Sequence, residues 1–328
     1  MKILLKRKTI LIILFFVFEF LVFLLGRWSV SSEGNLTVRN EKITEVNQES
    51  KILPKTYLLI LIMSSPGDYE IRETIRKTWL KLSLKGPNYF RPIFPIGIKN
   101  LNISDFSDLK NENLINNDII FLEKITESYG KLAKKTAESI NYAVKNFKFE
   151  YLLKVDSDSF VRIGAVLKSL RDIAHPKLYW GFLDGRAKPF RTGKWKEVDW
   201  ILCDRYLPYQ LGGGYVISYQ LADYISRNLN LLKYYVSEDV SLGVWLAGID
   251  TKYVHDPRFD TEFQSRGCNN EYLITHKKSP KQMVALFANL QQTGKLCFKE
   301  FQTRPSYVYD FSVPPSQCCT RRNNSGIP

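Results

Sequence analysis

The chain has 328 residues with 47 Lys+Arg against 33 Asp+Glu, a formal charge of +14, and 45% hydrophobic residues exclude a wholly disordered chain. At roughly 150 residues per domain the length allows one large domain or two small ones, and five Cys are too few for a disulfide scaffold, so the fold rests on an apolar core. The positive charge lies in short clusters such as Lys6-Arg7-Lys8 and Arg321-Arg322, not in an aromatic-interleaved ribbon, so nucleic acid is not an expected partner.

Lys2, Lys6, Arg7 and Lys8 precede an apolar run, Ile10–Leu25, broken only by Glu19. With Thr9 and Gly26 the run approaches the about 20 residues of a membrane-spanning helix. The charge asymmetry predicts a cytosolic tail at 1–8, a single signal anchor at 9–26 and a lumenal remainder. Bulky Arg27 and Trp28 argue against a cleaved signal peptide. Asn35, Asn102 and Asn323 each begin an Asn-x-Ser/Thr glycosylation pattern, in keeping with a lumenal body. Residues 27–53 are polar and read as a stem, and the composition changes at Pro54, where a folded domain, 54–328, is expected.

Tyr57–Met63 is a continuous apolar run, the pattern of a strand buried on both faces. Ser64–Asp68 is a turn, and Tyr69–Leu82 has helical spacing. Phe94–Ile98 and Asp118–Leu122 read as strands, Tyr129–Phe147 as a helix and Tyr151–Val155 as another buried strand. Asp239–Leu246 reads as a helix, with Gly243 permitting close approach. Alternating strands and helices imply an α/β fold, a Rossmann-like and mostly parallel sheet flanked by helices, with ligands at the carboxyl ends of the strands. Neither GxGxxG nor GxxxxGK[ST] occurs. Trp180, Trp195, Trp200, Tyr206, Tyr209, Tyr215 and Trp245 give the second half an aromatic density that suits a sugar cleft, with core packing the competing account of each ring.

The most informative segment is Asp156-Ser157-Asp158, two carboxylates at the exit of a buried strand. Mg²⁺ and Mn²⁺ take oxygen ligands and commonly hold substrate phosphates through one or two carboxylates. A nucleotide-sugar transferase and an aspartate-nucleophile phosphatase both use such a pair. About 100 residues of α/β chain before the motif favour the transferase, because the phosphatase pair lies early in its domain. Glu238-Asp239-Val240 at a helix start offers a dipole partner or a general base, which a weakly nucleophilic sugar hydroxyl needs. Glu238 is expected to raise the pKa of Asp239 by like-charge repulsion. A histidine completes an oxygen-rich Mn²⁺ shell, and spacing alone leaves His255 and His276 both open, while His175 sits in a loop. Arg72 and Arg76 share a helix face and suit uracil or phosphate. Leu211-Gly212-Gly213-Gly214-Tyr215 removes side chains where something approaches the backbone.

Together these segments resemble the β1,3-galactosyltransferase family of type II Golgi glycosyltransferases. Arg72–Trp79 looks like its RxxIRxTW block, Glu127–Thr136 its SYxNLTxKT block, Asp156–Asp158 its acidic triplet, Tyr206–Ser218 its YPxYxxGxGYVxS block and Glu238–Val240 its EDV block. His255–Glu262, Arg266–Asn270, Tyr307–Asp310, Pro314–Cys319 and Gly326–Pro328 look like the branch that builds the glycosaminoglycan linkage region. The resemblance implies a GT-A fold, Mn²⁺, and inverting transfer from UDP-galactose to the 3-hydroxyl of Galβ1,4-xylose on proteoglycan core proteins at the Golgi membrane, in association with other linkage-region glycosyltransferases. It implies Asp158 and His276 as metal ligands with Asp156 beside them, and Asp239 as base. Donor contacts are implied for Arg72, Arg76, Lys135, Asp156 and Ser157, acceptor contacts for Gly213, Gly214, Tyr215 and Glu238, and a disulfide for Cys268 and Cys297. The sequence departs from the family pattern at Ser157, Lys131 and Ala133. A β1,3-transferase with another donor or acceptor, and an inert glycosaminoglycan-binding membrane protein, are the alternatives.

Overall fold

The computed structural model describes residues 52–82, 86–323 and 326–328. The expected tail (1–8), anchor (9–26), nearly all of the stem and Asn35 lie outside them. Among the described residues no helix is long and apolar enough to cross a membrane.

Ile52–Pro328 forms a compact unit. In chain order its elements are β1 (Lys55–Met63), α1 (Tyr69–Lys77), β2 (Phe90–Gly97), α2 (Ile103–Asn116), β3 (Ile119–Leu122), α3 (Leu132–Asn146), β4 (Lys148–Asp156), β5 (Phe160–Val161) and α4 (Ile163–Asp172). There follow β6 (Leu178–Asp184), β7 (Tyr209–Ser218), α5 (Tyr219–Arg227), α6 (Glu238–Ala247), β8 (Lys252–His255), β9 (Phe259–Asp260), β10 (Gly267–Cys268), β11 (Ile274–Thr275), α7 (Pro280–Thr293) and β12 (Phe301–Gln302). Seven strands form one sheet in the order β3-β2-β1-β4-β7-β6-β8. β7 pairs antiparallel with both β4 and β6, and the other pairs are parallel. The fold is therefore α/β with a mostly parallel sheet, as the alternating pattern predicts.

Leu58 to Ile62 in β1 are wholly buried because the sheet is covered on both faces. Alternate residues feed two cores. Leu58, Ile60 and Ile62 pack with Ile75 of α1, Val166 of α4 and Met283 of α7, while Leu59 and Leu61 pack with Ile140 of α3, Ile225 of α5 and Leu246 of α6.

Several elements differ in extent from the sequence expectation, β4 for one starting at Lys148, three residues early. The helix expected over Tyr69–Leu82 stops at Lys77 and resumes as a 3-10 turn at Trp79–Leu82, and Tyr129–Lys131 is likewise a 3-10 turn before α3. β2 starts at Phe90, four residues early, despite Pro92 and Pro95. Neither proline breaks a ladder. Phe94 donates to Asp118 on the β3 side, so the Pro92 nitrogen faces that side, ahead of the first pair, Phe94 with Ile119. Pro95 faces β1 beyond the last pair, Leu61 with Ile93.

Cys268 is bonded to Cys297, and Cys318 to its neighbour Cys319, a pairing the sequence left open. Cys203 is an exposed free thiol. Asn102 and Asn323 are exposed, and the Asn102 side chain caps α2 by accepting from the Asp105 amide at 2.8 Å.

Candidate active site

The register brings the site together at the carboxyl end of β4. Met63 of β1 lies beside Asp156, and antiparallel β7 sets Gly214 beside Val155 and Tyr215 beside Lys154. The Ser159 amide donates to the Asp156 carbonyl, closing a turn that exposes Ser157 and Asp158. β11 pairs with β5 immediately beyond this turn, and the Lys278 amide donates to the Asp158 carbonyl. His276 is thereby delivered to the two carboxylates.

His276 Nε2 lies 2.8 Å from Asp158 Oδ1 and 3.5 Å from Asp156 Oδ2. Its Nε2 is buried and aligned for a hydrogen bond with no protein atom, while Nδ1 faces the Glu262 carbonyl at 3.1 Å. One ligand atom from each of the three lies within 4.8 Å of the others. Two oxygens and a ring nitrogen whose tautomer is fixed from behind fit a divalent cation. Burial opposes charge on these groups, but they outweigh it mutually. Lys154 and His276 hold Asp156 well below the usual carboxylate range, His276 also lowers Asp158, and the carboxylates push His276 up to about 9. His255, the other candidate ligand, stacks on Tyr307 and faces the Tyr307 carbonyl, away from the carboxylates; burial lowers its pKa to about 4.

The base candidate sits in the first turn of α6. Asp239 Oδ2 accepts from the Gly212 amide and Oδ1 from the Val240 amide, each at 2.9 Å. Burial raises its pKa, against the pull of Lys154 and the two amides, with the charge on Asp156 adding to the rise. Burial comes first among the causes, and the like-charge repulsion expected between the two neighbours acts on the pair as well. Glu238 is itself pushed up to about 7 by burial and by Asp239. Beneath both lies Lys154, wholly buried, donating to Asp156 Oδ1 at 2.8 Å, to the Gly212 carbonyl at 2.7 Å and to Glu238. Lys154 ties the metal-type cluster to the acid pair.

The glycines explain how close this packing is. A Cβ on Gly212 would lie 3.0 Å from Asp239 Oδ2, one on Gly213 only 2.6 Å from His276 Nδ1, and one on Gly243 of α6 2.6 Å from Tyr209 Cβ. Gly213 has an ordinary backbone, so Gly213→Ala adds no backbone strain and presses its Cβ on His276 and on the Thr261 carbonyl, 2.9 Å away. It is expected to displace His276 and to weaken any divalent-cation binding by about ten- to a hundredfold, the usual cost of disturbing a ligand's support, as read by titration calorimetry.

Several expected contacts fall elsewhere. Arg72 is wholly buried and gives all five N–H donors to Glu112, Ser64 and the Ser65 and Pro66 carbonyls; Arg76 is committed to Asp118, Glu112 and Glu73. Lys135 donates to the Ser64 carbonyl and to Glu127. Arg72 and Lys135 hold the loop after β1, Arg76 ties α1 to α2 and to the start of β3, and none of the three reaches for a donor. Gly214 packs on Ile274 and Val155, and Tyr215 is buried with its hydroxyl donating to Glu238 Oε2 at 2.9 Å, so neither offers an acceptor surface. Gly213 lines the cleft but serves His276. Ser157 is half-buried on the metal-side turn.

A cleft of about 730 Å³ opens over this floor and takes in Asp156, Gly212, Gly213, Glu238, Asp239 and His276. Its outer walls carry Phe190, Lys194, Phe263, Arg304 and Arg321, which the sequence reading assigned no role, and Trp195, which it named only as one ring among seven.

Residues 70–257 match the galactosyltransferase family. The chain is 43% identical to mouse Beta-1,3-galactosyltransferase 6 over 278 residues, 84% of this chain and 85% of that one. It is 30% identical to a hydroxyproline O-galactosyltransferase of Arabidopsis thaliana over 78% of this chain and 39% of that one. It is 29% identical to mouse UDP-GalNAc:beta-1,3-N-acetylgalactosaminyltransferase 2 over 63% of this chain and 40% of that one. The chain spans well under half of these last two relatives. A near-full-length match joins a carboxylate–histidine cluster and a paired acid over one cleft, and on those grounds the chain belongs to the β1,3-galactosyltransferase family.

Proposed function

We propose that this glycosyltransferase moves galactose from UDP-α-galactose to the 3-hydroxyl of Galβ1,4-xylose on proteoglycan core proteins, with inversion and with Mn²⁺ held by Asp156, Asp158 and His276. The observation that carries the reading is the placement of Asp239 on the same cleft floor as that cluster, with only Gly212 and Gly213 between their supports. Asp239 takes the proton from the acceptor hydroxyl as the oxygen attacks the anomeric carbon; a carboxylate whose pKa burial raises is a stronger base than a surface one. The bound cation would supply Lewis-acid neutralisation of charge on the departing UDP. Attack opposite the leaving group turns an α-linked donor into a β-linked product. The cleft wall at Thr261–Phe263, with Arg304 and Arg321, adjoins the segments that resemble the linkage-region branch, which supports the acceptor. Two disulfides suit an oxidising lumen, which supports a type II Golgi membrane placement with the anchor at 9–26.

The test gives the purified full-length chain UDP-galactose, Mn²⁺ and a Galβ1,4-xyloside, follows UDP release and determines the new linkage. A β1,3-linked galactose that disappears with EDTA is the expected product. UDP binding without transfer to this acceptor would remove the acceptor assignment; no metal-dependent UDP binding would remove the transferase mechanism.

A further inference from the structure

The outer half of the cleft has no part in the chemistry described above, yet it is built. Phe190 and Phe263 are 50% and 59% exposed and belong to one contiguous aromatic patch, the kind of surface that marks a binding site. Trp195 stands between them, with ring centroids 5.6 Å from Phe190 and 6.4 Å from Phe263. Lys194 lies over both Trp195 and Tyr129, at 4.9 and 5.1 Å from the ring centroids, fixing the loop after β6 to the turn before α3. Arg304 lies over Phe263 at 5.2 Å and is held by Glu262 at 3.0 Å.

This aromatic surface is continuous with the reacting centre. Phe263 follows Glu262, whose carbonyl faces His276 Nδ1, and Tyr129 lines the same cleft as Asp239. Two polar atoms on the same wall lack protein partners: the hydroxyl of Thr261, a residue 2% exposed, and Nη1 of Arg304. Buried polar groups in a finished site are hydrogen-bonded, so these two point to a ligand rich in hydroxyls. Rings that offer apolar faces beside unpaired donors match a neutral pyranose, with one C–H face and a rim of hydroxyls. They do not match a diphosphate, which the metal-side floor serves.

We propose that Trp195, flanked by Phe190 and Phe263, stacks the second sugar of the acceptor, one residue away from the galactose that receives the new bond, and that Thr261 and Arg304 hydrogen-bond its hydroxyls. The inference rests on the function proposed above and deepens it. A xylopyranose has no hydroxymethyl group, so its ring lies flat on an aromatic face, and the platform selects a disaccharide ending in such a ring over a simple galactoside.

The full-length chain, Trp195→Ala and Phe263→Ala are assayed with Galβ1,4-xyloside and with an alkyl β-galactoside, and binding of the disaccharide is followed by saturation-transfer NMR. The parent protein is expected to show a KM about tenfold lower for the disaccharide, the worth of one good aromatic contact, and strong saturation of the xylose protons. Either substitution should raise the disaccharide KM about tenfold and remove the xylose signal, leaving the galactoside KM and UDP binding unchanged. Equal losses on both acceptors, or transfer with no xylose saturation, would overturn the platform. Xylose saturation without transfer would keep the platform and remove the proposed reaction, and neither signal would remove both.

Discussion

If Asp239 is the proposed base, Asp239→Asn is expected to lower kcat by about 10³-fold and to leave the proposed binding of UDP and a divalent cation intact, because general-base catalysis contributes about 10² to 10⁴. The metal-type cluster hangs on β4 and β11, whereas Asp239 hangs on α6, so the substitution leaves the donor floor in place. It has a modest structural cost. Both Asp239 oxygens accept backbone amides, and an asparagine can accept only one of them, leaving its NH₂ against the other donor. A loss of about 1–3 kcal/mol follows from that mismatch. The discriminating result is therefore a folded variant, confirmed by its unfolding midpoint and by UDP titration, that turns over three orders of magnitude more slowly. A variant that retained a tenth of the activity would shift the base role elsewhere. In the parent protein kcat/KM should rise with pH as the Glu238–Asp239 pair loses its proton. Burial raises both acids and Glu238 is at about 7, so this acid limb belongs near neutrality and to the pair, not to either residue.

The sheet and the chemistry were legible to different depths. The run Tyr57–Met63 announces a strand buried on both faces because every second residue serves a different core and the run is too short for a buried or membrane-spanning helix. The carboxylates at 156 and 158 were legible because a buried strand ending in two acids has few structural uses. What the sequence could not show was contact across the sheet. Arg72 and Arg76 carry the spacing of a ligand-facing pair, yet Glu112 and Asp118, about 40 positions on, claim both guanidinium groups. Pro92 and Pro95 hid the first half of β2, since their harmlessness depends on where neighbouring ladders begin and end. Trp195 fits a sugar cleft or the core equally well in sequence, until the loop after β6 carries it to the cleft wall. One signal was available and unused: Lys154 interrupts the apolar run Leu152-Leu153-Lys154-Val155 two places before Asp156, on the same strand face. A lysine there requires buried acids, and it announces the partner that Asp156 and Glu238 share.

Lys154→Met should therefore be the most damaging substitution to stability at slightly alkaline pH, and less so in mild acid. The ammonium is wholly buried between Asp156 and Glu238, and removing one member of a buried ion pair costs about 3–5 kcal/mol because the remaining charge keeps its desolvation penalty. Glu238 can escape that penalty by taking a proton. Its pKa is raised to about 7 in the folded protein from the ordinary 4.5, so the folded state holds more protons than the unfolded one between those values and stability falls as pH rises through them. Without Lys154, which holds that pKa down, the window extends upward and the folded variant loses further stability above neutrality. His276, raised to about 9, also costs stability as pH rises, but it does so in both proteins and largely cancels in their difference. Urea unfolding in EDTA at about pH 6 and about pH 8 should thus show a wider gap between parent and variant at the higher pH. Adding Glu238→Gln should close part of that gap, since it removes the charge that Lys154 neutralised. A gap independent of pH, or one that widens in acid, would mean that Glu238 is ionised for some reason other than Lys154, and that the link between the acid pair and the metal-side carboxylate is not electrostatic.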